Sequence, residues 1–136
     1  MALHLLKLAV GIEDVEHLRR VRAARMAERG GSFVYTRNYP RRAAEILAGG
    51  SIYWVIRGHI RVRQYVTGFR REREDNGRGY CLMEVDPQLV RTAPRPWRPF
   101  QGWRYLLPVD APADLPDNAE PPSDRMLAEL HSLGLI

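Results

Sequence analysis

The chain has 136 residues, of which 45% are apolar, and a formal net charge of +5. This composition excludes a disordered chain and fits one globular domain, large enough to fold without a metal or a disulfide. Cys81 is the only cysteine, so an intramolecular disulfide is impossible. No apolar stretch approaches the roughly 20 residues that cross a bilayer, and the apolar run over residues 1–10 is too short for a signal peptide. We therefore expect a soluble, cytoplasmic protein without membrane contacts.

The charge is distributed unevenly along the chain. Residues 1–109 hold 20 basic and 10 acidic side chains, whereas residues 110–136 hold one arginine and six acids. Every basic residue except Lys7 is an arginine. Arginine presents a flat, forked set of donors that suits phosphate, which favours a phosphate-rich partner. A GC-rich genome that replaces lysine with arginine throughout explains the same composition, and both interpretations stay open.

The first 48 residues predict strand, helix, strand and helix. Residues 2–10 alternate loosely and are typical of a strand. From Ile12 to Arg29 an apolar residue recurs at every third position, acids precede arginines, and two glycines follow, which predicts a helix. Phe33–Thr36 is a short β-branched and aromatic run that predicts a strand. A helix over 40–48 follows, with Pro40 in its first turn, where a missing N–H costs nothing.

A long β-hairpin is predicted over residues 59–86. Its first strand, Ile60–Arg71, alternates between apolar and polar residues, and Tyr80–Val85 forms the returning strand. Between them, Asn76-Gly77 accepts the positive φ of a hairpin turn. On the first strand we expect arginines on the wet face, and an apolar face that consists of Ile60, Val62, Gln64 and Val66.

The segments that flank the hairpin differ in character. Ser51–Arg57 is apolar and aromatic and predicts a buried strand. The proline-rich segment after Val90 cannot be a central strand because proline lacks an N–H, so we expect an ordered loop or an extended edge. Trp103–Leu107 predicts a last strand. Residues 108–122 hold five of the ten prolines, and Ser123 is a good N-cap for a final short helix.

Together these elements predict an α+β fold. We expect a curved, mostly antiparallel sheet or a partly open β-barrel, packed by the helices over 12–29 and 40–48. The domain spans 1–107, and 108–136 forms a proline-rich, acidic extension that ends in the short helix.

Recognised catalytic motifs are absent from the sequence. It contains no P-loop, no G-x-G-x-x-G, no H-E-x-x-H and no G-x-S-x-G, and its four histidines lack metal-ligand spacing. We therefore assign no catalytic residue and expect no metal and no cofactor. Cys81 lies on the apolar face of a strand, which favours a buried thiol over a nucleophile served by His59.

Arginine and aromatic residues interleave in the segment Pro94–Tyr105 and in the strands around Arg57. Bases stack on aromatic rings while guanidinium groups bind phosphate, so this mixture is typical of a nucleic-acid surface. Arg57, Arg61 and Arg63 would bind phosphate. Trp97, Phe100 and Trp103 would stack on bases, and Gln101 would form a hydrogen bond with a base edge. Packing of the same rings against the protein is the alternative, and it applies above all to Trp103 and Tyr105, which would anchor an ordered loop to the sheet. The predicted binding residues are Arg57, Arg61, Arg63, Arg95, Trp97, Arg98, Phe100, Gln101, Trp103 and Arg104.

Four stretches resemble the bacterial domain of unknown function 1489 family: Ala2–Leu8, Gly50–Gly58, Asp86–Val90 and Arg95–Leu106, the last with the run Phe-Gln-Gly-Trp-Arg-Tyr. The resemblance implies a one-domain bacterial cytoplasmic protein, and the family carries no established activity.

A second, fold-level similarity is to the PUA-like barrels, which include the ASCH and EVE groups. Such barrels bind RNA or modified bases in a pocket, so the resemblance implies the same class of ligand. Gly50 and Arg57 match two positions of the ASCH motif Gly-x-Lys-x-x-Glu-x-Arg. Ile52 and Val55 replace its lysine and glutamate, which argues against an ASCH-type hydrolase.

The leading hypothesis is accordingly a module that binds RNA or a modified nucleotide. A protein-interaction or assembly module, which includes a homodimer through the C-terminal helix, is the alternative. A small hydrolase acting on a nucleotide-like substrate, with Glu45, Glu84 or His59 as the acid–base group, is a third.

Overall fold

A computed structural model describes residues 2–116 of the chain. The short helix predicted to begin at Ser123 and most of the acidic extension lie outside the described residues. Within residues 2–116, none of the helices has both the length and the apolarity needed to cross a membrane.

Seven strands and two α-helices make up the described part of the chain. The helices are α1 (Val15–Arg29) and α2 (Ala43–Leu47), and a short 3₁₀ helix spans Pro108–Asp110. The strands are β1 (His4–Leu8), β2 (Phe33–Thr36), β3 (Ser51–Ile56), β4 (His59–Arg73), β5 (Gly79–Val85), β6 (Val90–Pro96) and β7 (Trp103–Leu106).

The seven strands form one mixed sheet in the order β2-β5-β4-β3-β1-β7, and β6 also pairs with β4. The β1–β3 pair is parallel and the other pairs are antiparallel. The sheet does not close between β2 and β7. This arrangement confirms the predicted α+β class and the mostly antiparallel, open form of the sheet.

Strand β4 is the centre of the sheet because it pairs along both sides. Its first half pairs with β3 on one side and with β6 on the other, and its second half pairs with β5. β5 and β6 therefore run in succession along β4, separated by residues 86–89. This confirms the predicted hairpin, whose turn has Gly77 at φ 84°. The first part of the proline-rich segment belongs to the extended strand β6, which pairs with β4 alone among the seven described strands, and residues 97–102 form a loop.

The sheet buries a hydrophobic cluster on each face. Helices α1 and α2 cover one face, called the helix side, whose core includes Leu5, Trp54 and Met83. The other face, called the loop side, has a smaller core around Leu6, Tyr53, Val55, Ile60 and Leu106, covered by residues from 97–111.

A bulge at Arg61 corrects the predicted faces of β4. The register of β4 shifts between Ile60 and Val62 against β6, and the same residue is skipped in the pairing with β3. Since a bulge inserts one residue into the alternation, Ile60 points to the loop side and Val62 to the helix side. The prediction that both share one face was wrong for this reason.

The two helices are shorter than predicted. Asp14 caps α1 by accepting a hydrogen bond from the His17 backbone N–H at 2.7 Å, so the helix begins at Val15 and not at Ile12. Gly30, at φ 70°, ends it as predicted. α2 begins at Ala43, three residues after Pro40.

Candidate functional site

The arginine- and aromatic-rich segment runs from the end of β6 into β7 and places its rings on opposite faces of the sheet. Trp103 and Tyr105 lie on the helix side. The Trp103 indole N–H donates to the Asn38 carbonyl at 2.9 Å, and the Tyr105 hydroxyl accepts from the Arg42 backbone N–H at 3.1 Å. These two rings anchor β7 to the chain before α2, and Trp103 does not share a surface with the other predicted stacking residues.

Trp97 and Phe100 lie together on the loop side, where they are half-buried against the smaller core. The Trp97 backbone N–H donates to the Gly58 carbonyl at 2.9 Å, which fastens the loop to the β3–β4 turn. Gly102, at φ 70°, lets the chain turn back into β7.

Each of these two rings has a guanidinium over it. Arg95 lies with its Cζ 5.7 Å from the centre of the Trp97 ring and forms a 3.5 Å ion pair with Asp110. The Arg104 Cζ lies 5.4 Å from the centre of the Phe100 ring. Arg104 also donates to the carbonyls of Gln101 and Trp103, so the loop has an ordered shape.

Three further predicted arginines belong to the same end of the sheet. Arg57 is exposed in the β3–β4 turn with φ 49°, Arg98 is exposed in the loop, and Arg61 is the half-buried residue of the bulge. Within residues 2–116, none of these three side chains forms an ion pair with a carboxylate. We call Arg57, Arg61, Arg95, Trp97, Arg98, Phe100, Gln101 and Arg104 the loop-end surface.

Arg63 is separated from this surface by its partners. Its side chain is 10% exposed and forms two hydrogen bonds with the Asp114 carboxylate, at 2.8 and 2.7 Å. It also donates to the hydroxyls of Ser51 and Tyr65, at 2.9 and 3.2 Å. The bonds to Asp114 raise the pKa of the Arg63 guanidinium, and those bonds in turn hold the pKa of Asp114 below its usual value. Arg63 therefore has a structural role, because it links β4 to Ser51 of β3 and to Asp114 in the segment after β7.

The family model for the protein of unknown function DUF1489 matches residues 5–136. The chain belongs to the DUF1489 family. No curated protein and no solved structure matches it. The family resemblance is thus confirmed, and the PUA-like resemblance stays a prediction.

This DUF1489 member also has an arginine–tyrosine groove that the sequence did not reveal. A cleft of about 790 Å³ lies between residues 37–39 and the β4–β5 hairpin. The Arg71 Cζ lies 3.8 Å from the centre of the Tyr39 ring, and Tyr80 packs against Tyr35 at 4.8 Å. Arg71 and Tyr39 are far apart in the sequence, and the pairing of β5 with both β2 and β4 brings them together.

The groups considered for catalysis are dispersed. Glu45 pairs with Arg42 in an exposed position, and the half-buried Glu84 pairs with Arg70. Cys81 is fully buried, and burial raises the pKa of its thiol. Its partners across the sheet are Thr36 and Arg71, whereas His59 lies at the opposite end of β4. In the described residues, no three His, Cys, Asp or Glu side chains converge to hold a metal ion.

Proposed function

We propose that this DUF1489 protein binds single-stranded RNA, or a nucleotide with a modified base, through the loop-end surface. The observation that carries the proposal is an excess of arginine around Trp97 and Phe100. Among the residues that the structure describes, Arg95 and Arg104 lie over these rings, three more arginines of the loop-end surface belong to the same loop or to the start of β4 and its turn, and only Arg95 of the five pairs with an acid.

The arrangement has the two components that single-stranded nucleic acid requires. Guanidinium groups that lack carboxylate partners attract phosphate, and they release counterions from the strand when they bind it. Planar groups provide the stacking surface, and arginine stacks on bases as aromatic rings do. On this surface Arg95 and Arg104 extend the planar area of the rings beneath them.

An ordered loop also favours binding. The bonds from Trp97 to Gly58 and from Arg104 to Gln101 hold the loop in one shape before a ligand arrives. A loop that is already ordered loses little conformational entropy on association. Gln101 is exposed beside these groups, where its amide can bond a base edge.

The test is fluorescence anisotropy with labelled single-stranded RNA of mixed sequence, over a range of salt concentrations. We expect the double variant Arg57→Ala/Arg98→Ala to weaken binding and to reduce the salt slope by about 0.7 for each phosphate that is no longer neutralised. The matched control is Arg20→Ala/Arg78→Ala, which removes the same charge from exposed positions on α1 and in the hairpin turn.

Two results would overturn the proposal. One is the absence of any salt-dependent affinity at low ionic strength. The other is an equal loss of affinity in the control variant, because that would show a general charge effect and no local surface. The same titration with single-stranded DNA and with nucleotide monophosphates separates strand binding from recognition of a single nucleotide.

A further inference from the structure

A second cleft lies on the helix side, on the opposite face of the sheet from the loop-end surface. It is about 260 Å³ in volume and opens between α1 and the end of β1. The Trp54 indole borders it, and its remaining walls are mainly apolar, with Ala9, Ile12, Leu18 and Val34 among them. This is close to the lower end of the volumes that bind small organic molecules.

Three cations line this apolar cleft, and no carboxylate does. They are Lys7 from β1, and Arg22 and Arg25 from α1. Among residues 2–116, none of the three forms an ion pair. Lys7 is the only lysine of the chain.

Arg22 is the most unusual of the three. It is only 9% exposed, and its Nε is buried without a hydrogen-bond partner in the described structure. Its other contacts are one hydrogen bond from Nη2 to the Phe33 carbonyl at 2.8 Å and the Trp54 ring, 5.9 Å from Cζ. Buried guanidinium groups are usually satisfied by an anion, because an unpaired buried charge is costly.

Neighbouring positive charges add to the cost of burying the Arg22 guanidinium. Burial lowers the pKa of the Arg22 guanidinium, and the positive charges of Arg25 and Arg29 lower it further. Burial also lowers the pKa of the Lys7 ammonium. An anion in the cleft would offset the repulsion among these positive charges.

We propose that the helix-side cleft binds a small planar organic anion, whose carboxylate or phosphate contacts Lys7, Arg22 and Arg25 while its ring lies among the apolar side chains beside Trp54. The charged groups select an anion, and the apolar walls select a body that water solvates poorly. This site is separate from the proposed RNA surface and does not depend on it.

The experiment uses the full chain, isothermal titration calorimetry and ¹H–¹⁵N NMR spectra. The probes are 2-naphthoate, 2-naphthyl phosphate, neutral 2-naphthamide and inorganic phosphate. We expect saturable binding of at least one naphthyl anion, tighter than binding of the amide or of phosphate alone. Shifts should concentrate on the Trp54 indole N–H and the Ala9 and Val34 amides and spare the Trp97 indole. The two anions distinguish a carboxylate ligand from a phosphate ligand.

The variants are Lys7→Met and Arg25→Gln, with Arg20→Gln on the same helix as the matched control. Each of the first two should weaken binding about tenfold, as expected for the removal of one hydrogen bond to a charged group, whereas the control should change little. Arg25 is exposed, so Arg25→Gln keeps the test decisive if Lys7→Met fails to fold.

The proposal is overturned if no naphthyl anion binds saturably up to millimolar concentration, or if the neutral amide binds as tightly as the anions. It is also overturned if Arg25→Gln leaves the affinity unchanged, or if the shifted resonances map to residues 97–102.

Discussion

Removal of the Asp114 carboxylate should release the segment that follows β7 from the sheet. Asp114 accepts two hydrogen bonds from the nearly buried Arg63 guanidinium, at 2.8 and 2.7 Å. On either side of it, the Ala93 N–H donates to the Ala113 carbonyl and the Leu115 N–H to the Arg91 carbonyl, both at 2.8 Å. The ion pair therefore stabilises a short stretch of β-pairing that holds residues 111–115 against β6.

The magnitude follows from the exposure of the two partners. Loss of one partner of a fully buried pair costs roughly 3–5 kcal/mol. Here the Asp114 side chain is 41% exposed while that of Arg63 is 10% exposed, so water can replace part of the missing interaction. Ser51 and Tyr65 also remain as partners of Arg63. We expect Asp114→Ala to lower the free energy of unfolding by about 1.5–3 kcal/mol.

The assay is urea denaturation of the wild type, Asp114→Ala, Arg63→Met and the double variant. Since the double variant leaves no buried charge without its partner, the two single costs should overlap, with a coupling energy of about 1–2 kcal/mol. Hydrogen exchange of the Ala93 and Leu115 amides should accelerate in Asp114→Ala before the rest of the sheet is affected. A coupling energy below about 0.3 kcal/mol, with unchanged exchange at both amides, would refute this reasoning.

Two further predictions concern the strand ends near α2. In Gly50→Ala, the new Cβ would lie 2.6 Å from the Ile46 carbonyl oxygen and closer still to that of Leu3, so the variant should lose about 3 kcal/mol or more in urea denaturation. Gly79→Ala, whose nearest contact is 3.8 Å, is the control, and an equal loss there would contradict the steric explanation. His4 accepts a hydrogen bond from the Ser51 N–H at 3.0 Å, and burial, with a contribution from Arg63, lowers the pKa of its imidazole from the ordinary 6.5. The folded state favours the neutral imidazole. The contribution of His4 to the free energy of unfolding is therefore present in full above pH 6.5, and it is lost as the pH falls through the lowered pKa. His4→Asn keeps an acceptor but does not titrate, so the wild type should lose stability relative to it between about pH 7.5 and 5. A constant difference over that range would refute the assignment.

Several elements were predictable because their causes are local. Alternation of apolar residues indicated β4 and β5, and Asn76-Gly77 indicated the turn between them, where the Arg78 backbone N–H donates to the Asn76 side chain at 2.9 Å. The prolines after Val90 excluded a central strand, and among the seven described strands β6 pairs only with β4. These features depend on the φ angles and N–H groups of neighbouring residues, which the sequence states directly.

The membership of the surfaces could not be predicted in this way. The sequence identified the arginine- and aromatic-rich segment, but only the tertiary structure places Trp97 and Trp103 against different faces of the sheet. The sequence predicted Arg63 as an arginine on the solvent-exposed face of its strand, available to bind phosphate. In the structure Asp114, 51 residues away, accepts two hydrogen bonds from it. Lys7 and Arg22 likewise line one cleft only because α1 lies over the helix side of the sheet.

The sequence by itself thus determined the class of fold, the hairpin and the kind of chemistry that the surface offers. The tertiary structure decided which arginines of the described residues pair with an acid. The physical reason is that backbone preferences act over a few residues, whereas the burial and pairing of a side chain depend on strands brought together from distant parts of the chain.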